Sequence, residues 1–277
     1  MAEVRVGVSG WRYASWRGNF YPEGLVQRRE QEYVASQMNS VELNGSFYSL
    51  QRPSTYQRIV DSTPDDFPVA VKGSRYMTHM LQLAGVETAL ANFLASGVLA
   101  LGGQLGPILW QLPARTAYDE QRLAAFFHLL PRTTGAAAEL AERHDDKLAN
   151  DRVLTECAVD RRIRHVLEAR HPSFGDRAAL DLLEKHEVAL AASDSPGTWP
   201  YFEERTADLM YVRLHGHTEL YASGYSDAAL DHWAEKVRAW EADGLDVFVY
   251  FDNDAKVHAP FDAIALQERL GISPPSP

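Results

Sequence analysis

Three cations, four carboxylates and a histidine stand at or just beyond the ends of short apolar runs, spaced so that alternate residues reach one face of a strand. The runs are V-R-V-G-V-S, S-V-E-L-N, P-V-A-V-K, P-I-L-W-Q, R-H-V-L-E-A-R-H, V-A-L-A-A-S-D, M-Y-V-R-L-H and V-F-V-Y-F-D-N-D. If Val41 and Leu43 point outward, Glu42 and Asn44 point inward. The same parity turns Lys72, Gln111, Glu168, Arg170, Asp194, Arg213, His215, Tyr250 and Asp252 inward. Burying Lys72, Arg170 and Arg213 together is unfavourable without anions. Either Glu42, Glu168 and Asp194 neutralise them in an internal ion-pair lattice, or Arg170 and Arg213 present forked donors to a phosphate or carboxylate, with Glu168 orienting them. His215, whose ordinary pKa lies near neutrality, is the candidate general acid or base, acting with Glu42 or Glu168.

Loops at the same ends are aromatic, with Trp11, Tyr13, Trp16, Phe47, Tyr48, Trp199, Tyr201, Phe202, Tyr221 and Tyr225. They could stack a base or sugar, or plug one another over the core. His79, His171, His215 and His217 could join Glu42, Glu168 or Asp194 around a divalent metal, but no tight ligand spacing is present and no metal residue is assigned. A Ser-His-Asp hydrolase is disfavoured, because no G-x-S-x-G elbow occurs and S-G-Y-S around Ser223 reads as a loop.

Elements able to position these groups alternate strand and helix. Helical periodicity covers 28–39, 86–100, 118–130, 176–185, 227–242 and 260–270. Eight apolar strands with intervening helices predict an α/β fold, a single TIM-type (β/α)8 barrel with a closed parallel sheet, over 1–272. The alternative, an open doubly wound sheet, lacks a dinucleotide fingerprint after the first strand. Residues 132–161 are expected to carry the fourth barrel helix with an extension, and 273–277 a flexible tail.

The net charge of −11 and pI near 5.4 argue against a coat for nucleic acid or anionic membrane. With no apolar h-region at the start and no membrane-length apolar run, the expected location is cytoplasmic, without a membrane partner. Cys157, the single cysteine, reads as structural. No organic cofactor is indicated; an imine-forming Lys72 is conceivable, but nearby carboxylates favour its protonated form. The oligomeric state is open.

G-V-S-G-W with W-R-G-N-F-Y-P, V-E-L-N-G-S-F-Y, V-K-G-S-R-Y-M-T-H, L-W-Q-L-P, L-E-A-R-H-P-S-F, Y-V-R-L-H-G and Y-F-D-N-D resemble, in order and over nearly the whole chain, the YecE-like family, domain of unknown function 72. The resemblance implies a TIM-type barrel and no established reaction. Its motif positions fall on Gly10, Trp11, Glu42, Asn44, Phe47, Tyr48, Lys72, His79, Gln111, Glu168, Arg170, His171, Arg213, His215, Gly216 and Asn253. Phe174 stands where the family usually has Trp, and Asp252 where it usually has Asn.

The expected ligand is therefore small and anionic, phosphorylated or nucleotide-like, or a short nucleic acid strand. Trp11, Asn44, Tyr48, Lys72, His79, Gln111, Arg170, His171, Asp194, Arg213 and Asn253 would bind it. Phosphoester hydrolysis by Glu42, Glu168 and His215 is the most compatible reaction. The alternatives are a ligand- or nucleic-acid-binding regulatory module without turnover, and a metal-dependent isomerase or nuclease.

Overall fold

A computed structural model describes residues 2–273, so the expected tail lies outside the described residues except for Ser273. Nine strands occur among them: β1 Val4–Ser9, β2 Ser40–Leu43, β3 Val69–Lys72, β4 Leu105–Gln111, β5 His165–Glu168, β6 Val188–Leu190, β7 Ala192–Asp194, β8 Leu209–Leu214 and β9 Asp246–Phe251. Eight runs yield nine strands because V-A-L-A-A-S-D is interrupted at Ala191. The β1–β2, β1–β9, β3–β4, β4–β5, β7–β8 and β8–β9 ladders are parallel, and helices separate most successive strands, as the α/β class requires, although a loop without a helix joins β7 to β8.

The chain divides into two compact units, residues 1–42 with 189–277, and residues 43–188. In the first, β1 lies between β2 and β9, and β8 joins β9 to β7. Registers pair Ser9 with Glu42, Gly7 with Tyr250, Tyr250 with Arg213 and Arg213 with Ser193. Neighbours in register share a face. A Cβ at Gly7 would lie 2.0 Å from the Ser40 carbonyl oxygen, so this approach of β1 to β2 requires glycine. The helix Asp227–Ala242 starts at Ser226, whose Oγ accepts from the Ala229 N–H at 3.3 Å. It buries the stripe Leu230, Trp233, Ala234 and Val237.

In the second unit β4 lies between β3 and β5, pairing Leu109 with Lys72 and Gln111 with Glu168. Trp110, from the opposite parity, packs edge-on against Phe93 and Phe126 of the helices Glu87–Ala95 and Glu120–Leu129. Its indole N–H donates to His165 Nδ1 at 3.2 Å, and His165 Nε2 faces the Pro131 carbonyl oxygen at 2.8 Å. An indole only donates, so Nδ1 is bare and Nε2 carries the proton. Burial holds this imidazole neutral, its pKa pushed down to about 4.

Five expected helices recur within a few residues, as Glu30–Gln37, Glu120–Leu129, Arg177–Lys185, Asp227–Ala242 and Ala259–Leu270. The sixth, over 86–100, stops at Ala95, and Gly97, with φ at +114°, turns the chain into a 3-10 segment. Within 132–161 only Thr134–Ala141 is an α-helix; the charged remainder is loop with one 3-10 turn. The helix Pro53–Asp61 has no counterpart among the periodic stretches.

Candidate functional site

Arg213 anchors the first unit's strand ends. Its guanidinium is fully buried and forks onto Glu42, with Nε donating to Oε2 at 3.0 Å and Nη2 to Oε1 at 2.8 Å. Glu42, also fully buried, accepts further hydrogen bonds from Ser9 Oγ at 2.8 Å and Tyr211 Oη at 2.7 Å. Burial and the neighbouring carboxylate push the Tyr211 phenol up, so it remains a donor. Nη2 also meets Asp252 Oδ2 at 2.9 Å. Asp252 thus gives this guanidinium a second carboxylate. Beyond β9, burial and then Asp252 push the Asp254 carboxyl well above its usual range. These strand ends are acidic around one internally paired arginine.

His215 follows β8 directly. Its Nδ1 lies 3.1 Å from Asp252 Oδ2, its Nε2 3.1 Å from Ser193 Oγ and 3.4 Å from Arg213 Nη1. Trp199 and Tyr221 meet the ring edge-on, each 5.4 Å between centroids. Gly216 allows the chain to turn away here: φ is +116°, and a Cβ would lie 2.4 Å from the Glu219 carbonyl oxygen.

The inward placement of Asp194 by strand parity is corrected. Register pairs Ser193 with Arg213 and Asp194 with Leu214, so Ser193 shares the Arg213 face. Asp194 turns toward the helix Asp227–Ala242, accepts from Tyr225 Oη at 2.9 Å and lines a cavity of about 520 Å³ with Trp233, His232, His217 and Lys236. Counting alternation through the break at Ala191, with every polar residue assumed inward, selects the wrong neighbour. Burial raises the Asp194 pKa. Trp11 is buried, and the Asn253 amide donates to Ser223 O at 2.9 Å and Asp262 Oδ2 at 2.8 Å, tying down the loop after β9.

The second unit carries the remaining candidates. Lys72 Nζ lies 4.5 Å from the Phe47 ring centroid, and Phe47 meets His79 edge-on at 5.1 Å. Arg115 Nη2 donates to the His79 carbonyl oxygen at 3.0 Å. Partial burial and then the charges of Lys72, Arg170, Arg115 and Arg75 push the His79 imidazole down to about 4, so it is neutral at pH 7. Arg170 contacts fully buried Glu168, with Nε 2.7 Å and Nη2 2.6 Å from Oε1. Gln111 ends β4 beside Glu168, and Asn44 precedes the short helix Gly45–Tyr48. His171 Nδ1 lies 2.8 Å from Ser173 Oγ and caps the next turn. Tyr48 is 69% exposed at the rim of a cavity of about 450 Å³, also lined by Ser74, Tyr76, Met77 and Lys147.

The family described as "Protein of unknown function DUF72" matches residues 5–277. The chain belongs to the DUF72 family. UPF0759 protein YecE of Escherichia coli (strain K12) is 26% identical over 132 residues, 48% of this chain and 45% of that protein, and the same-named protein of Escherichia coli O157:H7 matches equally. The match thus spans under half the length of those relatives. A DUF72 family protein from Thermotoga maritima superposes with a TM-score of 0.76 at 23% identity, covering 97% of this chain and 99% of that one. One from Enterococcus faecalis V583 gives 0.74 at 15%, covering 98% and 96%. These likenesses show the fold, a TIM-type α/β barrel. Among the described residues, no cluster of three or more His, Cys, Asp and Glu side chains suits a metal. No helix there is long and apolar enough to cross a membrane. Of the residues that parity joins, Glu42, Arg213, His215 and Asp252 meet in one unit of this DUF72 protein. Parity reasoning missed Ser9, Tyr211 and Ser193; alternation along β8 and β9 already points to Tyr211, whereas Ser193 needs the register.

Proposed function

We propose that this protein binds a small anionic, phosphorylated ligand at the C-terminal ends of β3, β4 and β5. The reading rests on one arrangement: Lys72 Nζ lies over the Phe47 ring that meets His79, and Arg115 donates to the His79 carbonyl oxygen, in a chain whose net charge is −11. Concentrated positive potential in an acidic protein favours an anion there. Glu168 offsets Arg170, and the Phe47 face supports the Lys72 ammonium. Arg213 takes no part, because Glu42 and Asp252 already hold its guanidinium. The 450 Å³ cavity with Tyr48 and Tyr76 on its wall would accept the uncharged part of the ligand, and a planar ring would stack on either phenol.

Bound phosphate would find an uncharged imidazole beside it. Phosphoester hydrolysis is the turnover this supports, with the neutral His79 accepting a hydrogen bond from the attacking water and orienting it; its low pKa makes it a weak base. The test is thermal denaturation with inorganic phosphate, sugar phosphates and nucleotides, comparing wild type with Lys72→Met, which keeps the apolar stem. A ligand that raises the wild-type midpoint by several degrees and leaves Lys72→Met unmoved supports the reading. No shift with any of these phosphates refutes it. Release of inorganic phosphate from a phosphomonoester by wild type, lost in His79→Gln, would add turnover.

A further inference from the structure

Adjacent strand ends in the first unit hold a second arrangement of groups, independent of the anion reading. Register carries Ser193 at β7, His215 after β8 and Asp252 after β9 onto one face. The backbone locks them side by side: His215 N–H donates to Asp194 O at 3.0 Å and Asp252 N–H to Leu214 O at 2.8 Å. Arg213 Nη1, which only donates, lies 3.4 Å from His215 Nε2, so Nε2 is bare and the neutral ring carries its proton on Nδ1, which lies 3.1 Å from Asp252 Oδ2 but outside hydrogen-bond geometry. The bare Nε2 then faces Ser193 Oγ at 3.1 Å. The Trp199 indole N–H donates to the same oxygen at 3.1 Å, which leaves the hydroxyl proton for Nε2. Nucleophile, base and carboxylate therefore stand in the order and tautomer of a Ser-His-Asp triad, with the Nδ1–Asp252 contact left to close into a hydrogen bond when substrate is bound. Absence of a G-x-S-x-G elbow disfavours such a hydrolase only as a sequence motif, whereas the triad is defined by geometry.

We propose that Ser193, His215 and Asp252 form a nucleophilic triad for acyl transfer from an ester to water. Ser193 Oγ bonds to the acyl carbon while its proton passes to His215 Nε2. The ester C–O bond breaks, and the departing alkoxide takes that proton. Water then attacks the acyl-serine, delivers its proton through Nε2 to Oγ, and releases the carboxylic acid. Asp252 holds the imidazolium formed in each half. Ser193 is 2% exposed beneath Trp199, so the substrate enters when that indole moves aside.

The experiment is covalent labelling of the full chain with an alkyl fluorophosphonate, read by intact mass and peptide mapping. The serine oxygen displaces fluoride from phosphorus. One adduct is expected, on Ser193, faster in Trp199→Ala and at least about 100-fold slower in Asp252→Asn and His215→Gln. Circular dichroism checks that each variant is folded. Absence of a Ser193 adduct in both folded wild type and folded Trp199→Ala overturns the proposal. So does labelling of Ser193 at an unchanged rate in folded His215→Gln.

Discussion

Replacing Arg213 with Met tests whether the guanidinium serves the fold. The substitution keeps an apolar stem of similar reach but removes two donors to Glu42 and one to Asp252. Glu42 remains at 0% exposure with the Ser9 and Tyr211 hydroxyls as donors and without its cation. Leaving one member of a buried ion pair uncompensated costs about 3–5 kcal/mol. Unfolding entropy near 2.1 cal/mol/K per residue gives roughly 0.6 kcal/mol/K for 277 residues, so a 4 kcal/mol loss lowers Tm by about 7 °C. Adding Glu42→Gln removes the stranded charge. The double variant should therefore lose at least about 1.5 kcal/mol less than the two single losses together. Urea unfolding followed by far-UV circular dichroism, with calorimetry for Tm, measures each corner of the cycle. A loss under about 1 kcal/mol in Arg213→Met, or strict additivity, would refute the reasoning and return Arg213 to the ligand-binding set.

His165 gives a pH dependence of known sign. Its folded pKa of about 4 lies below the ordinary 6.5, so the unfolded chain binds more protons between these values and stability falls as pH drops from 6.5 to 4. At about 1.36 kcal/mol per pH unit this amounts to roughly 3 kcal/mol, and denaturant titrations of His165→Gln should show that component removed. Gly216→Ala should cost about 1–3 kcal/mol, because a Cβ meets the Glu219 carbonyl oxygen at 2.4 Å with φ at +116°. Gly244→Ala, at φ +83° with open space around its Cβ, should cost less; thermal melts of both settle the comparison. Asp194→Asn should leave fluorophosphonate labelling within about twofold of wild type, as expected of a carboxylate directed to Tyr225, whereas loss of labelling would contradict the corrected facing.

Alternation alone makes much of the first unit's cluster legible in the sequence. Glu42, Arg213, His215 and Asp252 are polar residues on otherwise apolar strands, and a strand's period of two leaves little freedom about which side they face. The role of Arg213 is less legible: buried and paired, or buried and waiting for an anion, it has the same sequence. Distances to Glu42 and Asp252 separate the two. The charged stretch after Ala141 carries helix-forming alanines on one side only, and propensity cannot say where the helix stops.

By itself, then, the sequence determined the α/β barrel class, the strands and most helix spans, because burial of periodic apolar residues needs only local spacing. It also determined the family, through motifs along nearly the whole chain. Tertiary structure alone decided that Ser193 and not Asp194 joins His215. That choice depends on how β7 registers with β8 after the interruption at Ala191, and hydrogen bonding between strands far apart in sequence sets it.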